Sequence, residues 1–134
     1  MLITSKSSIK VRYAETDQMG VVHHSNYAQY LEIARIDWLN QLGISYKSME
    51  TSGVILPVFK LDFKFKKSAF FDDELIVKTI LKTLPTAKII FNYEIHNQHE
   101  ELITLASSTL VFVDKNSKKP IQCPDYLLDK INSY

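Results

Sequence analysis

A single long helical pattern, from Asn26 to about Leu42, most constrains what this chain can fold into. Apolar residues recur there at steps of four, three, four and four, which places them in one stripe along a helix. The stripe consists of Tyr27, Leu31, Ala34, Trp38 and Leu42. Ser25 or Asn26 can cap the start of the helix, and Gly43 stands where a left-handed C-terminal residue is favoured. At about 1.5 Å per residue the helix would be about 25 Å long, enough to lie across a whole sheet.

The sequence after the helix has the period of β-strands. Residues 61–66 alternate strictly between apolar and polar, which predicts that Leu61, Phe63 and Phe65 share one buried face. Residues 102–113 are apolar on both faces at several positions, which is typical of a central strand covered on both sides.

The predicted elements follow one another in an order that defines the fold class. A first strand over 9–13 precedes the long helix, and alternating runs over 75–81 and 87–95 add further strands. A short helical tail is expected over 125–131. Hairpin-linked strands that follow one long helix predict an α+β layer architecture, and the alternating βαβ pattern of a doubly wound fold is not found.

Length and composition are those of one globular domain over residues 1–134. With a formal net charge of +1, the chain lacks the strong positive field of a protein that binds nucleic acid or a membrane surface. Neither a nucleic acid nor a membrane is therefore expected as a partner. The single cysteine, Cys123, excludes an internal disulfide and favours a reducing compartment. Since no secretory signal and no run of about 18 apolar residues is found, a soluble cytoplasmic protein is expected.

The segment between the first strand and the helix, residues 13–27, carries the candidate chemistry. Asp17 follows the predicted strand, and the unpaired amide N–H groups of the helix start come a few residues later. A carboxylate can deprotonate water or attack a carbonyl, while amide N–H groups stabilise the oxyanion that develops in acyl transfer. Gly20 would let the backbone approach a ligand, and Val21 and Val22 would line a pocket. The alternative is that Asp17 and Gly20 only close a turn.

A motif in this segment resembles that of a known family. The motif is Tyr13-x-x-Thr16-Asp17-x-x-Gly20-Val21-Val22-x-His24-x-x-Tyr27, and it leads into the tyrosine-rich start of the helix. It is similar to the hotdog-fold acyl-CoA thioesterases, and more narrowly to their 4-hydroxybenzoyl-CoA thioesterase branch and its short-chain bacterial relatives. The resemblance extends over nearly the whole chain, although the later strands match only in pattern.

The resemblance implies a fold and an assembly. In this family a curved antiparallel sheet of five strands wraps around the long helix. Two copies join edge to edge through the strand that follows the helix, here roughly residues 55–66, and the dimers commonly pair into tetramers. A homodimer, and a homotetramer formed as a dimer of dimers, are therefore expected.

The resemblance also implies roles for the loop and the helix start. Asp17 would be the nucleophile, forming a transient anhydride, or the general base for water. The N–H that polarises the carbonyl would lie near His24, whose side chain would orient water or substrate. Residues implied to contact the substrate are Gly20, Val21, His23 and Tyr27. The expected reaction converts an acyl-CoA to a free acid and coenzyme A, without a cofactor, since coenzyme A is part of the substrate.

The strand predicted over 61–66 and the residues beside it carry a local basic stripe, which consists of Lys60, Lys64, Lys66 and Lys67. Lys60, Lys64 and Lys66 share one face of that strand, where they could bind the phosphates of coenzyme A. The alternative is a solvated strand face.

Three alternatives to metal-free hydrolysis differ in the residues that they need. A non-catalytic acyl-binding module, or one that interacts with an acyl carrier protein, is an alternative on the same fold. A hotdog hydratase or dehydratase would need a different Asp/His signature in the loop. A zinc site would need about three protein ligands. His23 and His24 have no cysteine or second carboxylate at ligand spacing, so no metal is expected.

Overall fold

The computed structural model describes residues 3–134. Their strands and helices are β1 (Ile3–Lys10), α1 (Tyr27–Gln41), α2 (Tyr46–Thr51), β2 (Val54–Ile55), β3 (Val58–Phe65), β4 (Glu74–Leu81), β5 (Lys88–His96), β6 (Leu102–Val111), β7 (Val113–Asp114) and α3 (Asp125–Asn132). Two 3-10 turns, Tyr13–Glu15 and His24–Asn26, flank the loop between β1 and α1. No helix in this part of the chain has the length and apolar character needed to cross a membrane.

The five longer strands form one antiparallel sheet in the order β1-β4-β5-β6-β3. The two short strands, β2 and β7, pair with each other. Helix α1 packs on one face of the large sheet, chiefly against β1 and β4. The predicted α+β class, with five antiparallel strands on one long helix, is confirmed.

The core lies between α1 and the sheet, as the helical stripe predicts. Every residue of the stripe is buried, and Tyr30 and Leu39 are buried beside it. The rings of Trp38 and Phe91 meet edge to face, with 4.9 Å between their centroids. The core face of β4 and β5 consists of Leu75, Val77, Leu81, Ile89, Phe91, Tyr93 and Ile95, all buried. Removal of this apolar surface from water is the main stabilising contribution to such a fold.

Strand β3 does not have the buried face that its alternation predicts. Leu61 is 39% exposed, Phe65 is 52% exposed, and Phe63 is half-buried. The prediction is wrong because β3 is an edge strand, while α1 packs chiefly on the opposite half of the sheet. Most of the apolar face of β3 is therefore open.

Strand β6 matches its prediction on one face only. It is paired on both edges, and its helix-side residues are largely buried, but Leu105, Ser107 and Thr109 on the other face are half-buried. That face is less covered than predicted because α1 lies on the other side of the sheet. Helix α2 and the β2–β7 pair are not predicted from the sequence, because they are too short to show a period. Strand β1 begins earlier than predicted and ends at Lys10.

Candidate functional site

The loop between β1 and α1 folds back on itself around Asp17. The Asp17 amide donates to the Val21 carbonyl with an N···O distance of 2.8 Å, and the Gly20 amide donates to the Asp17 carbonyl at 3.0 Å. Gly20 has a φ of +80°, a left-handed conformation that residues with a side chain rarely adopt. An isolated β-bridge joins Val21 to Phe70, shortly before β4. The loop is therefore a closed turn that is fastened to the sheet.

One oxygen of the Asp17 carboxylate is held by the loop and the other is not. Oδ1 accepts hydrogen bonds from the amide of Met19 at 2.8 Å and from the amide of Val21 at 3.4 Å. No hydrogen bond among residues 3–134 uses Oδ2. The loop amides thus set the direction of the half-buried side chain and leave one oxygen available for chemistry.

Asp17 borders an open cavity of about 320 Å³ at the start of α1. The other walls come from the loop, the helix start and the end of β3, namely Val21, Val22, His24, Tyr27, Phe65, Lys66, Lys67 and Ser68. The rings of Tyr27 and Phe65 pack together, with 5.3 Å between their centroids. This cavity brings together five residues that were predicted in the loop and at the helix start, namely Asp17, Val21, Val22, His24 and Tyr27. Gly20 and His23 are not among its lining residues.

At the helix start, the amide N–H of His24 has no acceptor among the residues that the structure describes. In the 3-10 turn, the Asn26 amide donates to the His23 carbonyl at 2.9 Å, and the Ser25 amide donates to His23 Nδ1 at 3.2 Å. The Tyr27 amide donates to the His24 carbonyl. None of the hydrogen bonds between described residues uses the amide N–H of His24. A free N–H at the positive end of a helix can stabilise a negatively charged oxygen.

The two adjacent histidines have different surroundings. Their rings lie over one another, with centroids 4.2 Å apart and planes tilted by 30°. His23 Nδ1 is also 2.8 Å from Ser25 Oγ, so that the His23 side chain caps the 3-10 turn. His24 borders the Asp17 cavity. Within residues 3–134, no group of three or more His, Cys, Asp or Glu side chains is placed to hold a metal ion.

A buried carboxylate, Glu15, lies beside the loop, and no role is predicted for it from the sequence. Glu15 is only 6% exposed. Its Oε1 accepts from the Tyr30 hydroxyl and the Arg12 amide, both at 2.8 Å, and its Oε2 accepts from Arg12 Nε at 3.1 Å. Burial is the largest influence and raises the pKa of Glu15, but the donors and the Arg12 charge together hold it below the ordinary 4.5. Glu15 is therefore ionised at neutral pH. In the sequence, the only signal for this contact is the spacing of three residues between Arg12 and Glu15.

Lys60 and Lys64 lie away from the Asp17 cavity. Phe63 packs against the core. Because successive side chains of a strand point to opposite faces, Lys60 and Lys64 point to the outer face of the sheet. Lys64 borders a separate depression of about 250 Å³. Of the predicted basic stripe, Lys66 and Lys67 line the Asp17 cavity. Phosphate binding by Lys60 and Lys64 stays a prediction.

A more enclosed cavity of about 290 Å³ lies further along α1. Its walls are mainly apolar side chains of α1, α2 and the sheet, together with Glu32 and Arg35. Neither Asp17 nor any other residue of the loop before α1 borders it. Asp17 and His24 therefore border the loop cavity and not this one.

Cys123 lacks the properties of a nucleophile. Its side chain is buried, and burial, followed by the negative charge of Asp125, raises the pKa of the thiol to about 12. The thiolate, which is the reactive form, is therefore scarce at neutral pH.

Comparisons with known proteins cover nearly the whole chain. A family model described as the thioesterase-like superfamily matches residues 11–131. YneP of Bacillus subtilis, provisionally named an acyl-CoA thioesterase, is 41% identical over 118 residues, which are 88% of this chain and 86% of that protein. Acyl-acyl carrier protein thioesterase ATL3 of Arabidopsis thaliana is 31% identical over 91% of this chain and 64% of its own length. A crystal structure described as a DHNA-CoA thioesterase from Staphylococcus aureus matches with a TM-score of 0.91 and 40% identity, covering 98% of this chain and 88% of that one.

Proposed function

Because this chain belongs to the thioesterase-like superfamily, we propose that it hydrolyses an acyl-CoA thioester to a free acid and coenzyme A. The observation that carries the proposal is that Asp17 and His24 border one cavity. Asp17 has an uncommitted carboxylate oxygen, and His24 has an uncommitted amide N–H. Hydrolysis of a thioester needs both a group that activates or replaces water and a donor for the oxyanion.

In the first route, Asp17 is the general base. Its free oxygen takes a proton from water while the water oxygen bonds to the thioester carbon. The carbonyl oxygen becomes negative and accepts a hydrogen bond from the His24 amide, helped by the positive end of α1. The carbon–sulfur bond then breaks, and the coenzyme A thiolate leaves and is protonated.

In the second route, Asp17 is the nucleophile. The free oxygen bonds to the thioester carbon, the thiolate leaves, and a mixed anhydride between Asp17 and the acyl group remains. Water then cleaves the anhydride. Single turnover in ¹⁸O water can identify the second route, because water that attacks the anhydride at the Asp17 carboxyl carbon puts the heavy isotope into Asp17, whereas the first route never labels Asp17. Mass analysis of the peptide that contains Asp17 detects this label, and its presence identifies the anhydride. Attack at the acyl carbon of the anhydride instead labels the released acid, as the first route does.

The His24 side chain has a different proposed role from its amide. It borders the cavity beside Asp17, and its ring is packed on that of His23, which the Ser25 hydroxyl holds in turn. We expect it to orient the attacking water or the thioester. The variant His24→Phe keeps a ring and the backbone amide, so it should lower kcat without abolishing hydrolysis.

Release of free thiol from a substrate panel tests the reaction. Purified protein is mixed with acetyl-, hexanoyl-, palmitoyl-, benzoyl- and 1,4-dihydroxy-2-naphthoyl-CoA and a thiol-reactive dye. We expect release from at least one of these that depends on Asp17. Stabilisation of the protein by a thioester, without any thiol release, would instead support a non-catalytic acyl-binding module.

The carrier of the acyl group is part of the same proposal. We favour coenzyme A because YneP is provisionally named for that carrier and matches this chain over most of both lengths. ATL3, which is named for acyl-acyl carrier protein, favours the other carrier. A comparison of kcat/KM for one acyl group on both carriers decides between them.

We further propose that two copies pair along β3, and that such dimers pair into tetramers. Strand β3 is an edge of the sheet, and its exposed side chains include Phe59, Leu61 and Phe65. Phe65 also lines the Asp17 cavity, so a second copy along this edge would add a wall to it. The lone cysteine fits the reducing cytoplasm in which we place the enzyme.

A further inference from the structure

We propose that Glu15 is the positioning residue of the hydrolytic site, and that it holds the Asp17 loop against the start of α1 through Tyr30. This inference rests on the proposed function, because the groups being positioned are the Asp17 carboxylate and the His24 amide. Glu15 itself does not line the cavity, so its effect must act through these two groups.

The side chain of Glu15 ties the loop to the helix. Tyr30 lies in the first turn of α1, is fully buried, and donates its hydroxyl to Glu15 Oε1 at 2.8 Å. Arg12 closes the other side, with its amide on Oε1 and its guanidinium on Oε2 at 3.1 Å. A buried carboxylate with donors on both oxygens is held more rigidly than a surface one, because leaving it unpaired would be costly.

The backbone carbonyl of Glu15 binds the C-terminal end of the same loop, just before α1. Its carbonyl accepts from the His23 amide at 2.9 Å and from Asn26 Nδ2 at 2.8 Å. One residue therefore connects the strand side of the loop, the residue before His24 and the residue that precedes α1. The seven residues between these anchors, 16–22, include Asp17.

The protonation states fit this arrangement. Burial, and then the Glu15 hydrogen bond and charge, raise the pKa of the Tyr30 hydroxyl far above its ordinary value, so it remains a donor at all physiological pH values. The carboxylate of Glu15 stays charged. A hydrogen bond from a neutral donor to a charged acceptor is shorter and stronger than one between neutral groups.

The chemical consequence follows from how Asp17 is held. Its direction depends on the loop amides, and the loop is anchored at both ends by Glu15. A displacement of about 1 Å between the attacking oxygen and the donor for the oxyanion can lower a rate by about 10²-fold. Loosening the anchor should therefore reduce kcat even though no substrate contact is removed.

The test deletes one buried hydroxyl at the anchor and one elsewhere. Tyr30→Phe removes the donor to Glu15, while the matched control Tyr93→Phe removes an equally buried hydroxyl that lies 2.7 Å from Ser108 Oγ. We expect Tyr30→Phe to lower kcat by about 10- to 100-fold with KM changed by less than about 3-fold. Tyr93→Phe should stay within about 3-fold of the wild type in both constants.

A second measurement asks whether the loss acts through Asp17. In an Asp17→Asn background, Tyr30→Phe should cause a smaller further loss than it does in the wild type, because one of the two positioned groups is already disabled and only the His24 amide remains. The positioning role would be overturned if Tyr30→Phe lowers the rate by the same factor in the Asp17→Asn background as in the wild type. Full activity of Tyr30→Phe alone would also overturn it. Glu15→Gln, which keeps an acceptor for Tyr30, should retain more activity than Glu15→Ala.

Amide hydrogen exchange separates this inference from the proposed function. Exchange over residues 16–24 should be faster in Tyr30→Phe than in the wild type or in Tyr93→Phe, whether or not the protein hydrolyses a thioester. Unchanged exchange there refutes the anchor. If the wild type releases no thiol but exchange rises as expected, the proposed reaction fails and the anchor stands without its catalytic role.

Discussion

At the scale of single residues, Asp17 can be changed with little disturbance of its loop. Asparagine keeps an oxygen that can accept from the Met19 and Val21 amides, but it can neither take a proton from water nor attack a carbonyl. We expect Asp17→Asn to lower kcat by about 10²–10⁴-fold while the midpoint of urea unfolding stays nearly the same.

The control for this substitution is Asp129→Asn. Asp129 is exposed on α3 and does not border the loop cavity, so the same change of charge should leave kcat unaltered. Thiol release by the two purified variants gives the comparison, and wild-type kcat in Asp17→Asn would remove this carboxylate from the mechanism.

A second prediction at this scale concerns Glu15 and how the free energy of unfolding depends on pH. Its pKa is lower in the folded protein than the ordinary 4.5, so its stabilising contribution is complete above that value. The contribution is lost as the pH falls through the lower, folded-state pKa. We expect the free energy of unfolding to fall less steeply between about pH 5 and pH 3 in Glu15→Gln than in the wild type.

Urea unfolding at a series of pH values measures this difference. Glu32→Gln, at an exposed position of α1, is the matched control and should follow the wild-type slope. Parallel curves for Glu15→Gln and the wild type would show that the Glu15 contacts do not contribute to stability in this way.

At the scale of elements, α1 is the part that its sequence describes best. All five residues of its stripe are buried, and Trp38 in the C-terminal half of the helix packs on Phe91. Truncation of a large side chain here leaves a cavity that the sheet and helix cannot close. We expect Trp38→Ala to reduce the free energy of unfolding by about 3–5 kcal/mol, and Trp38→Phe to reduce it by less, as measured by urea denaturation.

For strand β3, the period of the sequence predicts which residues share a face but does not predict whether that face is buried. Its period correctly groups Leu61, Phe63 and Phe65 on one face, but it cannot show whether another element covers that face. The cover depends on where α1 lies, and α1 packs chiefly over β1 and β4. The open apolar face is the feature that an edge-to-edge partner would use.

At the scale of the whole molecule, the assembly is the main prediction. Exposed apolar side chains on an edge strand favour pairing with another chain, and a lysine on such an edge opposes it. We expect Leu61→Lys to remove the pairing along β3, which lowers the native mass below that of the wild type, and to reduce kcat/KM, because the second copy no longer borders the Asp17 cavity. Light scattering with size-exclusion chromatography measures the mass.

The control for the assembly is Ile90→Lys. Ile90 is also exposed, at 44%, but it lies on β5, which is paired on both sides within the sheet. This variant should keep the β3-paired dimer. A wild type that is monomeric and fully active would show that one copy forms the complete site.

The sequence by itself determined the features that depend on neighbours along the chain. A period near 3.6 fixed the helix and its buried stripe, a period of two fixed the strands, and the motif from Tyr13 to Tyr27 singled out the loop with Asp17. Only the tertiary structure decided that β3 is an open edge, that Lys60 and Lys64 lie apart from Asp17, and that Glu15 is buried against Tyr30. The physical reason is that a period describes the geometry of one element. Burial and hydrogen bonding depend on which distant element the fold places against it.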